Sequence, residues 1–199
     1  MGRSIILLVL VGVGLLSLMN GCGTYNSLVD KDEDVEQAWG KVQSAYQRRA
    51  DLVPQLVNTV KGVAEFEKST ITAVTEARSK ATSIQIDPSN ITPAQLKQFQ
   101  QAQSGLTSSL SRLLATFERY PELKATANFR DLQTQLEGTE NRIKVERDRF
   151  NEATTDYNKS VRKFPAAIWA GIFGFDRRPQ FEADQDAQDA PEVNFDFSK

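Results

Sequence analysis

From Val35 onward, apolar residues recur at steps of four and three. The series Val35, Trp39, Val42, Tyr46, Arg49, Val53, Leu56, Val60 and Val63 outlines the seam of an amphipathic helix. The stripe continues more weakly through Thr70, Val74, Ala77, Ala81 and Ile84, and the turn residues Asp87-Pro88-Ser89-Asn90 end it. A second stripe follows Thr92-Pro93, a side chain suited to capping a helix before a proline suited to its first position. It reads Leu96, Phe99, Gln103, Leu106, Leu110, Leu113, Phe117, Tyr120 and stops at Pro121. The third reads Phe129, Leu132, Leu136, Thr139, Ile143, Glu146, Phe150, Ala153, Tyr157, Val161, Phe164 and stops at Pro165, with Asn128 as a candidate cap for its start. No segment alternates with period two, so no strand is expected.

Taken as one straight helix, the first stripe would reach about 87 Å from Ser27 to Ile84, against about 40 Å and about 55 Å for the others. Helices so unequal could not cover one another. The stretch "QRRADLVPQL" (Gln47 to Leu56) offers a division, with Arg48 and Arg49 in a last turn, Asp51 as a cap and Pro54 within a first turn. Segments 27–50, 52–84, 94–120 and 127–164 then make an all-α, antiparallel up-and-down four-helix bundle of long helices. The alternative is a kinked three-helix arrangement bent at Pro54.

Ahead of the bundle, Met1-Gly2-Arg3 leads into an apolar run from Ile5 to Met19. Its length suits either the core of a signal sequence or a transmembrane helix. Residues 1–24 are accordingly an N-terminal transmembrane anchor or a lipoprotein signal with Cys22, the single cysteine, as the lipidation point. Gly21 is small enough to precede a cleaved Cys22, but Met19 and Asn20 depart from a strict lipoprotein signal. Arg3 before the span and the acidic run Asp30-Lys31-Asp32-Glu33-Asp34 after it place the bundle on the non-cytoplasmic side of the cell membrane.

The chemistry available narrows the function. With 24 basic against 26 acidic residues and no basic block, binding to nucleic acid is not expected. Histidine is absent, which removes the commonest general base and metal ligand. One cysteine leaves no internal disulfide and no thiol metal site. No catalytic, cofactor-binding or metal residue is assigned, and the protein is not expected to be an enzyme.

Several stretches in order carry a resemblance: "YNSLV" (Tyr25 to Val29), "VEQAWGKVQ" (Val35 to Gln43), "QRRADLVPQLVNTVKG" (Gln47 to Gly62), "EARSKA" (Glu76 to Ala81), "ERYPELKATANFRDLQTQLEGTENRI" (Glu118 to Ile143), "FNEATTDYN" (Phe150 to Asn158) and "FPAAIWAGIFGF" (Phe164 to Phe175). In these the chain resembles the LemA family of bacterial membrane-anchored proteins. The resemblance implies a bundle of long helices behind one N-terminal membrane segment and no known catalytic activity.

Two further features invite a role. Arg49, Asp51, Glu140, Asn141 and Arg147 lie on or near seam positions, where paired charges and amides fix helix register. A carboxylate metal site is the competing reading, weakened by the missing histidines. Residues 164–175, uncharged and mostly apolar, either close the open end of the bundle or lie on the membrane surface through Phe164, Ile168, Trp169, Ile172, Phe173 and Phe175. The bundle thus spans 25–175, and 176–199 is expected to be an acidic, largely flexible tail. Together these features suggest a membrane-tethered scaffold or interaction module at the bacterial envelope, self-associating or serving membrane organisation. The alternative is an accessory to an envelope enzyme such as a membrane protease.

Overall fold

The computed structural model describes residues 2–60 and 68–182; of residues 2–20, 60, 123 and 124 it describes the backbone alone. The described residues form helices and no strand. They are α1 (Gly2–Val60), α2 (Lys68–Ser83), a 3-10 turn (Pro88–Asn90), α3 (Pro93–Phe117), α4 (Pro121–Lys124), α5 (Ala127–Arg162) and α6 (Ala166–Phe173).

The chain does not turn at Asp51. Helix α1 continues through Pro54, and Asp51 is exposed within it, accepting from Gln47 Nε2 at 2.7 Å instead of capping a new helix. A proline inside a helix withholds the N–H that the carbonyl four residues back would receive. Here that carbonyl belongs to Ala50, and Arg78 Nε of α2 donates to it at 2.7 Å. A side chain 28 residues away therefore supplies the missing donor. The division of the first stripe falls between Val60 and Lys68 instead, and four antiparallel helices still result.

Cross-contacts fix the directions. Arg78 meets Ala50, and Gln103 Nε2 donates to Ala81 O at 3.2 Å, so α2 descends beside α1 and α3 rises beside α2. Phe117 and Phe129 pack at 4.2 Å across the short α4 corner. Helix α5 then descends along α1, with Glu140 at the level of Arg49 and Phe150 at the level of Trp39.

Helix starts follow local chemistry. Thr92 caps α3, accepting from Gln95 N, while Gln95 Oε1 accepts from Thr92 N at 3.0 Å, a reciprocal box. Helix α5 begins earlier than Asn128: Thr126 is its cap, accepting from Phe129 N at 3.3 Å.

Two apolar clusters fill the bundle. The distal one is mostly aliphatic, built on Leu52, Val53, Leu56, Val74, Leu106, Leu110, Leu113 and Leu136 with Phe117 and Phe129. The proximal one, toward the N-terminal end of α1, is aromatic: Trp39, Tyr46, Phe99, Phe150, Tyr157 and Phe181 with Val35, Ile86 and Ile91. Helix α2 has 16 residues, about 24 Å, against about 54 Å for the 36 residues of α5, so it covers only the distal half. Segment 84–92, which contains the 3-10 turn, and segment 175–182 complete the proximal half.

Among the described residues no helix is long and apolar enough to cross a membrane. The side chains of Ile5 to Met19, on which the expectation of a span rests, lie outside those described.

Candidate functional site

Helix α6 packs across α1 where the apolar leader ends. A Cβ added at Gly21 would stand 2.8 Å from Cζ2 of Trp169, so the indole needs a glycine beneath it. Tyr25 meets Phe173 edge-on at 4.8 Å and Phe175 at 5.7 Å. These contacts hold one face of α6 to the bundle, with Ala170 buried and Trp169 and Phe175 half-buried. Away from those contacts side chains are bare: Phe164 is 84 % exposed, Ile168 54 % and Ile172 64 %, and Phe173, though it meets Tyr25, is still 48 % exposed. Ile168 and Ile172, four residues apart in α6, share one outward face, and Phe164 stands bare in the turn before it. Exposed Arg162 and Lys163 precede these side chains in the chain and Arg177 follows them.

Beyond Gly174, whose φ of 77° ends α6 in a left-handed cap, the chain reverses and runs back along α5. Arg178 is the first fixed point. Its guanidinium meets Asp32 of α1 at 2.8 Å and 3.0 Å and donates to the carbonyls of Pro88 and Ser89 on the 3-10 turn. Asn158 of α5 clamps the Arg178 backbone from both sides, donating to its carbonyl at 2.8 Å and accepting from its N–H at 2.9 Å. Asn151 repeats the clamp on Phe181, donating to its carbonyl at 3.1 Å and accepting from its N–H at 2.9 Å. The Phe181 ring lies inside the proximal core, stacked on Trp39 at 6.0 Å, edge-on to Phe150 at 5.4 Å and beneath the Arg147 guanidinium at 4.9 Å. Gln100 and Arg147 both donate to the Glu182 carbonyl at 3.1 Å.

A largely flexible tail is expected after residue 175; within it Arg178 to Glu182 make the contacts above, Asp176 and Arg177 are exposed, and 183–199 lie outside the described residues.

Between the two cores lies a polar layer. Arg49, 1 % exposed, donates through Nη1 to Glu140 Oε1 and Thr107 Oγ1, both at 2.7 Å, and through Nη2 to Gln103 Oε1 at 2.6 Å. Its guanidinium also sits 5.0 Å from the Tyr46 ring centroid. The layer joins α1, α3 and α5, and Gln103 extends it to α2. Of the five residues expected in it, Arg49 and Glu140 meet; Asp51 and Asn141 lie on exposed faces, and Arg147 serves the returning segment instead. Gln103 and Thr107 take the vacant places. Six residues beyond Glu140 along α5, buried Glu146 receives Arg142 at 2.7 Å and Arg149 at 3.1 Å on Oε1, while Oε2 meets no donor among the described residues.

Electrostatics concentrate around Arg178. Burial, then the Asp32 carboxylate, pushes the Tyr157 hydroxyl up to about 12, with Arg178 opposing. Burial and the neighbouring Asp32 and Glu33 raise Glu36 above the usual carboxylate range. Asp87 is lowered by the Ser89 hydroxyl and N–H that donate to it.

Sequence patterns pointed to the α6 face. They did not point to Gly21 as its seat, nor to Arg178 and Phe181. The available signal was the seven-residue spacing of Asn151 and Asn158 beside the α5 seam.

Protein LemA of Metamycoplasma hominis is 27% identical over 142 residues, 71% of this chain and 61% of that protein, so the chain spans about three fifths of that relative's length. Magnetosome protein MamQ of Magnetospirillum gryphiswaldense is 26% identical over 214 aligned positions, covering 96% of this chain and 77% of that protein. Magnetosome protein MamQ 2 of Paramagnetospirillum magneticum is 25% identical over 186, covering 84% and 67%. The family model described as LemA family matches residues 38–195, most of the chain, and the chain belongs to the LemA family.

Proposed function

We propose that this protein is a non-enzymatic helical scaffold, tethered by the uncleaved N-terminal part of α1 and seated on the membrane surface by α6. The observation that carries the reading is the set of bare apolar side chains Phe164, Ile168 and Ile172 on and just before α6, the helix seated on Gly21 and Tyr25 at the end of the apolar leader. An interfacial aromatic such as Tyr25 suits that depth. Four exposed side chains, each worth about 1.5–3 kcal/mol when fully removed from water, would contribute roughly 3–6 kcal/mol when half inserted. That is the range of a single acyl chain, a useful second attachment beside a spanning helix.

Gly21 also bears on how the chain is anchored. Cleavage before Cys22 would remove the glycine on which Trp169 rests. Cys22, the next residue, is exposed. Arg3 and the acidic run after the span support a bundle on the non-cytoplasmic side. Kinship with proteins named for the magnetosome supports work at a membrane. The intact mass of the mature protein tests the anchor: an unprocessed chain is expected, and loss of residues 1–21 with a lipid adduct overturns it.

The seat of α6 is tested on the full chain in liposomes containing brominated acyl chains. The two tryptophans report separately, because Trp39 is fully buried in the bundle while Trp169 lies on α6. Quenching of Trp169 is expected, and it should fall in Ile168→Glu/Ile172→Glu. Fluorescence indifferent to the brominated lipid would sink the proposal.

A further inference from the structure

The segment Arg178 to Glu182 is bound to the bundle as a peptide is bound in a recognition groove. Asn158 and Asn151 are one heptad apart on α5, a rise of about 10.5 Å. The residues they clamp, Arg178 and Phe181, are three apart in an extended chain, a span of about 10 Å. The two repeats match, so each asparagine pairs with the N–H and C=O of one residue, as a neighbouring strand would. Gln180 Nε2 fills the interval, donating to the Asn151 carbonyl at 2.9 Å and to the Thr155 hydroxyl. Side chains then set identity at both ends: a guanidinium for Asp32 and a phenyl ring for the space beside Trp39 and Phe150. Within the sequence Arg-Pro-Gln-Phe, the side chains of Arg178, Gln180 and Phe181 thus each meet a partner on the bundle.

None of these contacts depends on the ligand belonging to the same chain. Between α6 and the clamp stands Gly174, the one described residue with positive φ, where the chain changes direction with little steric cost. We infer that this groove is an exchange site and that its second occupant is the 176–182 segment of a neighbouring copy. The inference rests on the membrane seating proposed above. Copies held in one membrane share orientation and depth, so each presents its segment at the height of its neighbour's groove. The swapped and closed forms make the same contacts, and only the few residues near Gly174 change path. Confinement to a surface raises the effective concentration of the neighbouring segment, which narrows the advantage of the closed form.

The experiment uses full-length chains with Cys22→Ser, which removes the single native thiol. One copy carries Thr155→Cys and the other Gln180→Cys, the pair in contact across the groove, and the two are co-reconstituted in liposomes with a short bismaleimide. A chain carrying both cysteines should link internally, which reports that fold and geometry survive. Separate copies should form a linked dimer, at least tenfold more in liposomes than when diluted in detergent. That dimer should disappear when Phe181→Ala is placed in the Gln180→Cys copy or Asn151→Ala/Asn158→Ala in the Thr155→Cys copy. Internal links without linked dimers overturn the inference, as do dimers indifferent to those substitutions or no link of either kind. Trp169 quenching on the same liposomes reads the seating itself, so loss of the dimer with quenching retained fails the exchange alone.

Discussion

The distal and proximal halves of the bundle solve the same packing problem with different materials. Distally, four helices surround a mostly aliphatic cluster. Proximally, α2 has ended, and three helices enclose an aromatic cluster whose open sides are closed by segments 84–92 and 175–182. Large rings bridge gaps that branched aliphatics would leave open, because one ring touches several walls at once. Trp39 meets Phe99 at 5.3 Å, Phe150 at 5.5 Å and Phe181 at 6.0 Å, so it joins α1 to α3, α5 and the returning segment. Leu113, equally buried, belongs to the mostly aliphatic distal cluster.

Truncating these two residues gives the largest expected effects. Trp39→Ala should cost about 3–5 kcal/mol and Leu113→Ala about 2–5 kcal/mol, read from denaturant midpoints. The location of the damage separates them. Trp39→Ala should also expose the amides of 175–182 to hydrogen exchange, while Leu113→Ala should leave their protection in proportion to global stability. Equal local protection in both variants would show that the returning segment does not depend on the aromatic cluster.

The Arg49 layer decides whether the halves are one unit. Removing the side chain by Arg49→Ala leaves the Gln103 oxygen unpaired in a buried position and opens a void, a loss of about 2–4 kcal/mol. Glu140 is 44 % exposed and can rehydrate, so its own penalty is small. Arg49→Met, which keeps the apolar stem, should cost less. Both variants should unfold in one transition by circular dichroism and by tryptophan fluorescence. Two separated transitions would show that the cores fold independently and that Arg49 joins them.

Much of the distal half could be read from the sequence, and far less of the proximal half. Leu106, Leu110, Leu113, Leu132 and Leu136 recur at helical spacing because helix walls impose that spacing on what they bury. Thr92 and Pro93 announce α3 by local chemistry alone. The returning segment carries no such signature, since α5 reads its backbone and only Phe181 enters the core. Its polar, acidic surroundings resemble a solvated tail. The α6 face was legible because its outward apolar side chains stay unburied, whereas its seat on Gly21 is the absence of a side chain and leaves no hydrophobic trace. Arg49 was visible as a cation on an apolar stripe, but Gln103 and Thr107 became its partners through the register of α3 against α1, which no single stripe specifies.

Alkaline pH should weaken the proximal half selectively. Tyr157 releases its proton at about 12 in the folded protein and near 10 when unfolded. Below pH 10 both states hold the proton and stability is unaffected by it. Between pH 10 and 12 the unfolded state ionises first, so stability falls by up to about 2–3 kcal/mol. Tyr157→Phe should remove that part of the decline, measured as the difference in unfolding midpoint between the two proteins at each pH. Parallel curves for the two proteins above pH 10 would show that Tyr157 is not the group responsible.

The smallest effect tests why α2 is needed where it exists. In the distal half α1 carries Pro54, and α2 supplies Arg78 to the Ala50 carbonyl that the proline leaves without its helical donor. Arg78→Met should leave that carbonyl unsatisfied in a partly buried position, costing about 1–2 kcal/mol. Pro54→Ala restores the N–H within the helix, so on its own it should be close to neutral or mildly stabilising. If the arginine's role is to serve the proline's missing bond, the two changes are coupled. Arg78→Met should then cost much less in the Pro54→Ala background, with an interaction energy of about 1 kcal/mol in a double-mutant cycle. Additive effects would mean that Arg78 stabilises α2 against α1 by packing of its stem alone. The continuity of α1 through Pro54 would then need another cause.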